Sequence, residues 1–288
     1  MPEGDAVWLT ARRLHRALAG QVLAGSDLRY PALATADLSG RRTVEVVPRG
    51  KHLLHRLEGD LTLHSHLRMD GSWRVHPVAR RRALGTRHTV RALLWTTEVV
   101  AVGDQLGMLD LVRTVDEGAV VGHLGPDLLD PAFDLDRAVA NLQQVPGRPL
   151  VEALLDQRNV AGIGTIWASE PLFLAGLHPW APVGDVDVEA LEDLLRATRR
   201  LMVQSCRDRR LVTTGRPGVA EDTWVFGRRA LPCHRCGTLV RWATVGQQPQ
   251  QRSLAYCPTC QGGPAAHDDG ARQLPLGHRS TYLQEERP

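Results

Sequence analysis

Cys233-His234-Arg235-Cys236 and Cys257-Pro258-Thr259-Cys260 are two Cys-x-x-Cys knuckles with 20 residues between them. Each knuckle presents two thiolates about one turn apart. Two such pairs at this spacing close a tetrahedral four-cysteine zinc site on a β-hairpin, a zinc ribbon. Disulfides are the weaker alternative, because the N-terminus lacks a signal-peptide pattern and a reducing compartment follows. The hairpin arms are expected over 238–244 and 253–256. Four protein ligands leave no open position for water, so one structural Zn2+ is expected as the core of a unit too small to have another. The fifth cysteine, Cys206, falls on a predicted helix and reads as a core thiol. Arg252 projects from the hairpin, with Arg229, Arg235 and Arg241 nearby. An arginine on a metal-pinned loop suits bidentate phosphate contact, whereas plain surface arginines would be solvated charge.

Upstream of the ribbon the chain reads as helical. A short helix is expected over 151–157, and Ala161-Gly162-Ile163-Gly164 is a tight turn. A helix over Thr165–Ala175 carries Ile166, Trp167, Leu172 and Phe173, and a long amphipathic helix covers 186–206. The stretch 211–227 is rich in Thr, Gly and Arg and reads as a loop. Gly125-Pro126-Asp127 through Asp130-Pro131 marks a boundary. Before it, residues 22–115 read as β, with short runs at 43–47, 52–57, 61–67, 89–95 and 99–102 punctuated at a spacing that suits a sandwich. A first helix over 6–19 is capped by Asp5 and closed by Gly20. No internal repeat is visible. The expected class is α+β: a β-sandwich headed by a helix (1–130), a helical region (131–226), a zinc finger (227–262) and a disordered tail (263–288).

The chain opens Met1-Pro2-Glu3-Gly4-Asp5. Removal of Met1 makes Pro2 a free secondary amine. An α-amino group has a reference pKa near ~7.7–8.0, against ~10.4 for lysine, so much of it is unprotonated at neutral pH. A secondary amine that attacks an aldehyde carbon gives an iminium, which stays charged and draws electrons, as covalent amine catalysis needs. Glu3 sets a carboxylate beside it, and both precede a helix N-terminus, where phosphate is favoured. Among 35 Lys and Arg residues only Lys51 is a lysine. Arginine is a wide planar fork that does not deprotonate, and lysine is a compact charge that can exchange a proton. Lys51 lies in Pro48-Arg49-Gly50-Lys51-His52, a turn feeding a strand.

At 288 residues the chain can form two domains, and 43% hydrophobic content is ordinary for a globular protein. It has no run of 18 apolar residues and therefore no expected membrane span. A cytoplasmic, nucleoid-associated protein is inferred. A net charge of +3 permits nucleic-acid binding without demonstrating it.

Pro2-Glu3, the Gly50-Lys51 turn, the Gly162–Gly164 helical turn and the four-cysteine ribbon occur in one order. That combination resembles the Fpg/Nei DNA glycosylases, in their endonuclease VIII branch. Further stretches are alike: Arg49-Gly50-Lys51, Asp60-Leu61-Thr62-Leu63-His64-Ser65-His66, Gly71-Ser72-Trp73-Arg74-Val75, Gly125-Pro126-Asp127, Leu155-Asp156-Gln157 and Cys257-Pro258-Thr259-Cys260-Gln261. The resemblance spans residues 2 to about 261.

It implies a helix–two-turn–helix between sandwich and finger, and damaged double-stranded DNA as partner, held in a cleft by a monomer. It implies base excision: a damaged base is flipped out, Pro2 attacks C1′, and the 3′ and then 5′ phosphates are eliminated. By it Glu3 is the acid/base, Lys51 the proton donor and charge stabiliser, and Arg252 the grip on the flanking phosphates. The turn at Gly162, Gly164 and Thr165 binds DNA backbone. Arg68 and Met69 fill the gap in the duplex, where Met69 would otherwise pack in the sandwich.

Three positions depart from the family pattern. Thr165 stands for an asparagine, Ala6 for a glutamate, and Arg68-Met69-Asp70 is an unusual triplet. The short 211–227 segment favours oxidised pyrimidines over 8-oxoguanine. Two other readings exist: a non-catalytic relative that binds damaged DNA, and an N-terminal-proline tautomerase. The length and the paired cysteines argue against the tautomerase.

Overall fold

The computed structural model describes residues 2–216, 222–246 and 251–276. The chain divides into two compact units, 1–123 and 124–288.

The first unit opens with helix α1 (Gly4–Leu18), which buries Val7, Ala11, Leu14 and Leu18. Its N-cap position is Glu3, not Asp5 as expected. Asp5 lies in the first turn, fully buried, and the Glu3 side chain makes no capping bond. Eight strands follow: β1 (Gly25–Leu28), β2 (Thr43–Arg49), β3 (His52–Leu57), β4 (Leu61–His66), β5 (Ser72–Pro77), β6 (Val90–Trp95), β7 (Val99–Asp104) and β8 (Met108–Arg113). They form two antiparallel sheets, ordered β1-β6-β7-β5 and β2-β3-β4-β8. One core joins them: Leu28, Trp73, Leu94 and Ala101 from the first sheet meet Val46, Leu53, Leu63 and Leu109 from the second and Leu14 of α1. Short helix α2 (Arg81–Gly85) brings Leu84 onto the outer face of the first sheet, against Val90, Leu93, Val100 and Val102. Helix α3 (Gly118–Val121) ends the unit.

Sequence pattern missed β1, β5 and β8. Gly25-Ser26-Asp27-Leu28 contains poor strand formers and is a strand because it pairs with β6.

The second unit packs α4 (Leu135–Gln143), α5 (Leu150–Leu155), α6 (Thr165–Ala175) and α7 (Val188–Asp208) around Leu142, Leu154, Ile166, Trp167, Leu172, Leu191, Leu195 and Met202. Helix α6 is buried on all sides over 166–173, and Gly176, at φ +68°, ends it. Helix α4 was not expected, although Asp134 caps it by accepting the Arg137 N–H at 3.0 Å. Cys206 is buried on α7.

Glu170 of α6 holds both described ends of the expected 211–227 loop, whose residues 217–221 lie outside the described residues. Its carboxylate accepts the backbone N–H groups of Trp224 (2.8 Å), Val225 (2.9 Å) and Phe226 (2.7 Å), and the Thr213 hydroxyl. Burial pushes its pKa up, and these donors oppose that shift.

The ribbon hairpin is β9 (Arg241–Val245) and β10 (Arg252–Tyr256), paired antiparallel. The tail expected to be disordered from 263 lies on the hairpin over its described length. Arg241 pairs with Asp268 through both carboxylate oxygens, and the Tyr256 hydroxyl donates to Asp268 at 2.5 Å. Gln273 bonds Trp242 N–H and C=O, at 2.8 and 2.7 Å. Residues 277–288 lie outside the described residues.

Candidate active site and metal centre

Helix α1 lies along β2, and two contacts fix their relative height. Gly20 N–H donates to Thr43 C=O at 2.8 Å, and Val46 N–H donates to His15 Nδ1 at 3.2 Å. The helix therefore runs antiparallel to the strand. From His15 back to Glu3 is about 18 Å at ~1.5 Å per residue. From Val46 on to Lys51 is about 16 Å at ~3.3 Å per residue. Pro2-Glu3 and Lys51 thus reach the same end of the sandwich. Glu3 and Lys51 are both buried and Pro2 is half-buried.

The β2–β3 register pairs Arg49 with His52, so Gly50-Lys51 is a two-residue hairpin turn. Gly50, at φ +57°, takes the left-handed conformation the turn requires at its first position. Because His52 pairs with His66, the turn that follows β4 belongs to this end of the sheet too. That turn carries Arg68 and Met69. Arg68 has φ +54°, and its N–H donates to His66 Nδ1 at 2.9 Å. Its aliphatic stem lies over Gly107, where an added Cβ would come within 2.3 Å of Cγ. Met69 is 62% exposed and so is not a sandwich core residue.

A group of histidines surrounds Lys51, and sequence pattern gave no hint of it. His52 Nδ1 lies 2.8 Å from His64 Nε2, and His64 Nδ1 lies 2.9 Å from Asp110 Oδ2. The His52 and His64 rings stack at 5.0 Å, and His66 meets His52 edge-on at 4.7 Å. The strand register places His52, His64, His66 and Met108 across neighbouring strands, a grouping visible only once the strands are paired. Burial and the neighbouring His66, His64, His123 and Lys51 hold the His52 pKa down to about 3. Burial and Lys51 hold His66 down to about 4. Burial alone brings His55 to about 4, its Nε2 2.9 Å from the Thr43 hydroxyl.

These three histidines predict acid sensitivity. A histidine whose folded pKa lies below its unfolded value of about 6.5 contributes stability fully above that pH. The contribution is lost as pH falls toward the folded pKa. For His55 the window runs from 6.5 to about 4, which corresponds to roughly 3 kcal/mol at ~1.36 kcal/mol per unit. Urea midpoints should fall steadily between pH 6.5 and 4. A midpoint that holds constant across that window refutes the account.

In the second unit, Gly125-Pro126-Asp127 and the 157–165 turn clasp each other. Gly125 N–H donates to Gln157 C=O at 2.9 Å, and Ala161 N–H to Pro126 C=O at 2.9 Å. Gln157 grips the turn from inside. Its Oε1 accepts Gly162 N–H at 3.0 Å and its Nε2 donates to Ile163 C=O at 2.9 Å. Gly162, at φ +103°, therefore shapes the turn and has its N–H engaged within it. Gly164 is the N-cap of α6 and Thr165 its first residue.

The four cysteine sulfurs lie within 4.8 Å of one another. Cys233 and Cys260 Sγ are 3.9 Å apart, and Cys236 and Cys257 Sγ 3.5 Å. A tetrahedron with Zn–S near ~2.3 Å has edges of about 3.8 Å, so this donor set fits a zinc ion. Arg235 N–H points at Cys233 Sγ (3.4 Å), and hydrogen bonds from Thr238 bring the Cys236 thiol down to about 6. Phe173 of α6 packs with Val225, Val240, Ala255 and Cys257, joining finger to helix. Gln261 completes the joint by accepting Cys257 N–H (2.9 Å) and donating to Leu177 C=O (3.0 Å). Arg252 is the first residue of β10. Its Nη1 is buried without a hydrogen-bond partner among the described residues.

Residues 1–108 match the family described as "Formamidopyrimidine-DNA glycosylase N-terminal domain", and residues 124–215 match "Formamidopyrimidine-DNA glycosylase H2TH domain". A relative from Streptomyces coelicolor called probable endonuclease 8 2 is 52% identical, over 94% of this chain and 97% of its own. One from Mycolicibacterium smegmatis, called DNA-(apurinic or apyrimidinic site) lyase Nei2, is 41% identical over 91% of this chain and 99% of its own. The crystal structure of the MutM (Fpg) protein from Thermus thermophilus is similar, with a TM-score of 0.73 at 33% identity, covering 92% of this chain and all of that one.

Proposed function

The chain belongs to the family of formamidopyrimidine-DNA glycosylases and endonuclease 8, and from that premise we propose that it removes oxidised bases from duplex DNA and cuts the strand at the abasic site. The supporting observation is the convergence of Pro2, the buried Glu3 and the chain's sole lysine at one end of the sandwich. Relatives of 52% and 41% identity carry the names endonuclease 8 and abasic-site lyase.

The chemistry follows from these groups. The Pro2 nitrogen attacks C1′ of the flipped nucleotide, and the C1′–base bond breaks with its electrons leaving on the base, which takes up the proton that the Pro2 nitrogen gives up. Glu3 protonates the sugar ring oxygen as the ring opens, which leaves a Pro2 iminium. The iminium acidifies C2′. Loss of that proton expels the 3′ phosphate, and a second proton loss expels the 5′ phosphate. Lys51 supplies a proton to the departing group and balances its charge. The unpartnered Nη1 of Arg252 suits a phosphate oxygen beside the flipped nucleotide. Gly164 and Thr165 offer a helix start to the backbone. Exposed Met69, with Arg68, fills the gap left in the stack. One Zn2+ on Cys233, Cys236, Cys257 and Cys260 holds the finger.

The substrate class follows from the short 211–227 segment, which leaves less chain to cover a purine. Thymine glycol and 5-hydroxycytosine are therefore preferred over 8-oxoguanine. The protein acts as a monomer on the DNA of the cytoplasmic nucleoid.

Borohydride reduction in the presence of duplexes bearing single defined lesions tests all of this. Covalent trapping is expected on an abasic site and on both pyrimidine lesions. Absence of any adduct would leave only a binding protein. Faster excision of 8-oxoguanine than of either pyrimidine would overturn the preference.

A further inference from the structure

Each phosphate elimination removes a proton from a sugar carbon, and that proton needs an acceptor. We propose that His52, His64 and Asp110 form a proton-accepting relay beside Lys51 that takes up this proton. The inference rests on the lyase reading above and names residues that reading does not use.

The direction of the relay follows from donor and acceptor capacity. Asp110 is a carboxylate and only accepts, so His64 Nδ1, at 2.9 Å, carries its hydrogen. In a neutral ring His64 Nε2 must then accept. His52 Nδ1, at 2.8 Å, therefore donates to it, and His52 Nε2 is left with a bare lone pair. No described residue hydrogen-bonds to that nitrogen. A proton arriving at His52 Nε2 makes an N–H bond there. The Nδ1 proton of His52 moves to Nε2 of His64, and the positive charge comes to rest on His64 against Asp110. Only protons change place, and nothing is oxidised or reduced.

Burial supports this path. His64 is fully buried and His52 nearly so, while the Asp110 side chain is 46% exposed. The relay thus runs from the Lys51 turn to solvent. His52 faces Lys51, His66, His64 and His123, and no carboxylate is among the groups acting on it. A charge left on His52 would stand beside the Lys51 ammonium. Passing it to His64 moves it against the Asp110 carboxylate, 2.9 Å away. His52 is the acceptor, and His64 and Asp110 act through it as positioning residues. His66 lies outside the relay, because its Nδ1 already accepts Arg68 N–H.

The test uses preformed abasic-site duplex in single turnover from pH 5 to 9, beside binding to a tetrahydrofuran abasic analogue that cannot eliminate. Asp110→Asn keeps an acceptor for His64 Nδ1–H but loses the charge. Elimination at neutral pH should slow about tenfold, less than the ~10²–10⁴-fold of losing an acid–base group outright, because Asp110 acts through His64. The relay then holds its proton less tightly, so the acid limb of the rate profile moves to lower pH. Asp110→Glu should restore both. Analogue binding and borohydride trapping should stay within about twofold of wild type, since neither needs the proton acceptor. His64→Gln should match Asp110→Asn if it folds, and the half-exposed Asp110 keeps the test decisive if it does not. Wild-type rate and profile in Asp110→Asn overturn the relay. So does analogue binding that falls in step with the rate, which would mark a structural role. Failure of the wild-type protein itself to be trapped would overturn the lyase reading, and the relay with it.

Discussion

A chain that carries any residue ahead of Pro2 will form no borohydride-stable adduct with abasic-site DNA. The Pro2 nitrogen is then an amide, whose lone pair is delocalised into the carbonyl and cannot attack carbon. Glu3 and Lys51 remain in place in such a protein, so duplex binding should persist while strand cleavage stops. Pro2→Gly gives the graded version. A glycine N-terminus is still an amine, but the imine it forms can lose its N–H and become neutral, which weakens the electron sink. Trapping should fall by roughly a hundredfold, the lower range for losing a group active in the chemical step. Denaturing electrophoresis of reduced complexes reads both variants. Unchanged trapping in either would remove Pro2 from the mechanism.

Removal of the metal is expected to cost nearly as much. The finger has little interior apart from Cys233, Val240, Ala255 and Cys257, packed on Phe173 and Val225. Zinc binding to such peptides contributes about 10–16 kcal/mol near neutral pH, which is largely their folding energy. Chelation, or Cys257→Ser, should release one zinc per chain and abolish hydrogen-exchange protection across β9 and β10. Arg252 begins β10, so strand cleavage should fall on the order of a hundredfold, as for loss of a catalytic electrostatic contact. The sandwich has its own core and should retain its protection. A metal-free protein with a protected hairpin would refute the structural role of the ion.

Local chemistry made much of this legible. The cysteine pairs, the Pro2-Glu3 start and the lone lysine each carry meaning within a few residues. Helix α6 appears at its expected limits because a turn with two glycines opens it and Gly176 closes it. What could not be read depends on pairing between distant segments. The β1 segment is a strand only through β6, and the relay exists only because β4 lies between β3 and β8. Glu170 has no local signal of its role, because its partners lie more than 40 residues away in the chain. The ordered part of the tail was hidden for the same reason. Its composition is that of a disordered segment, and Asp268 is held by Arg241 and Tyr256 of the hairpin.

That clamp bears on how far the ribbon is portable. The Asp268 side chain is 1% exposed, and Arg241 and Tyr256 together hold its pKa down to about 2. A graft of residues 227–262 onto another scaffold would carry every metal ligand, yet it would leave Arg241 without its counter-charge and Tyr256 without its acceptor. The transferable piece is therefore longer than the metal motif. It ends beyond Gln273, where the chain has crossed back over both strands.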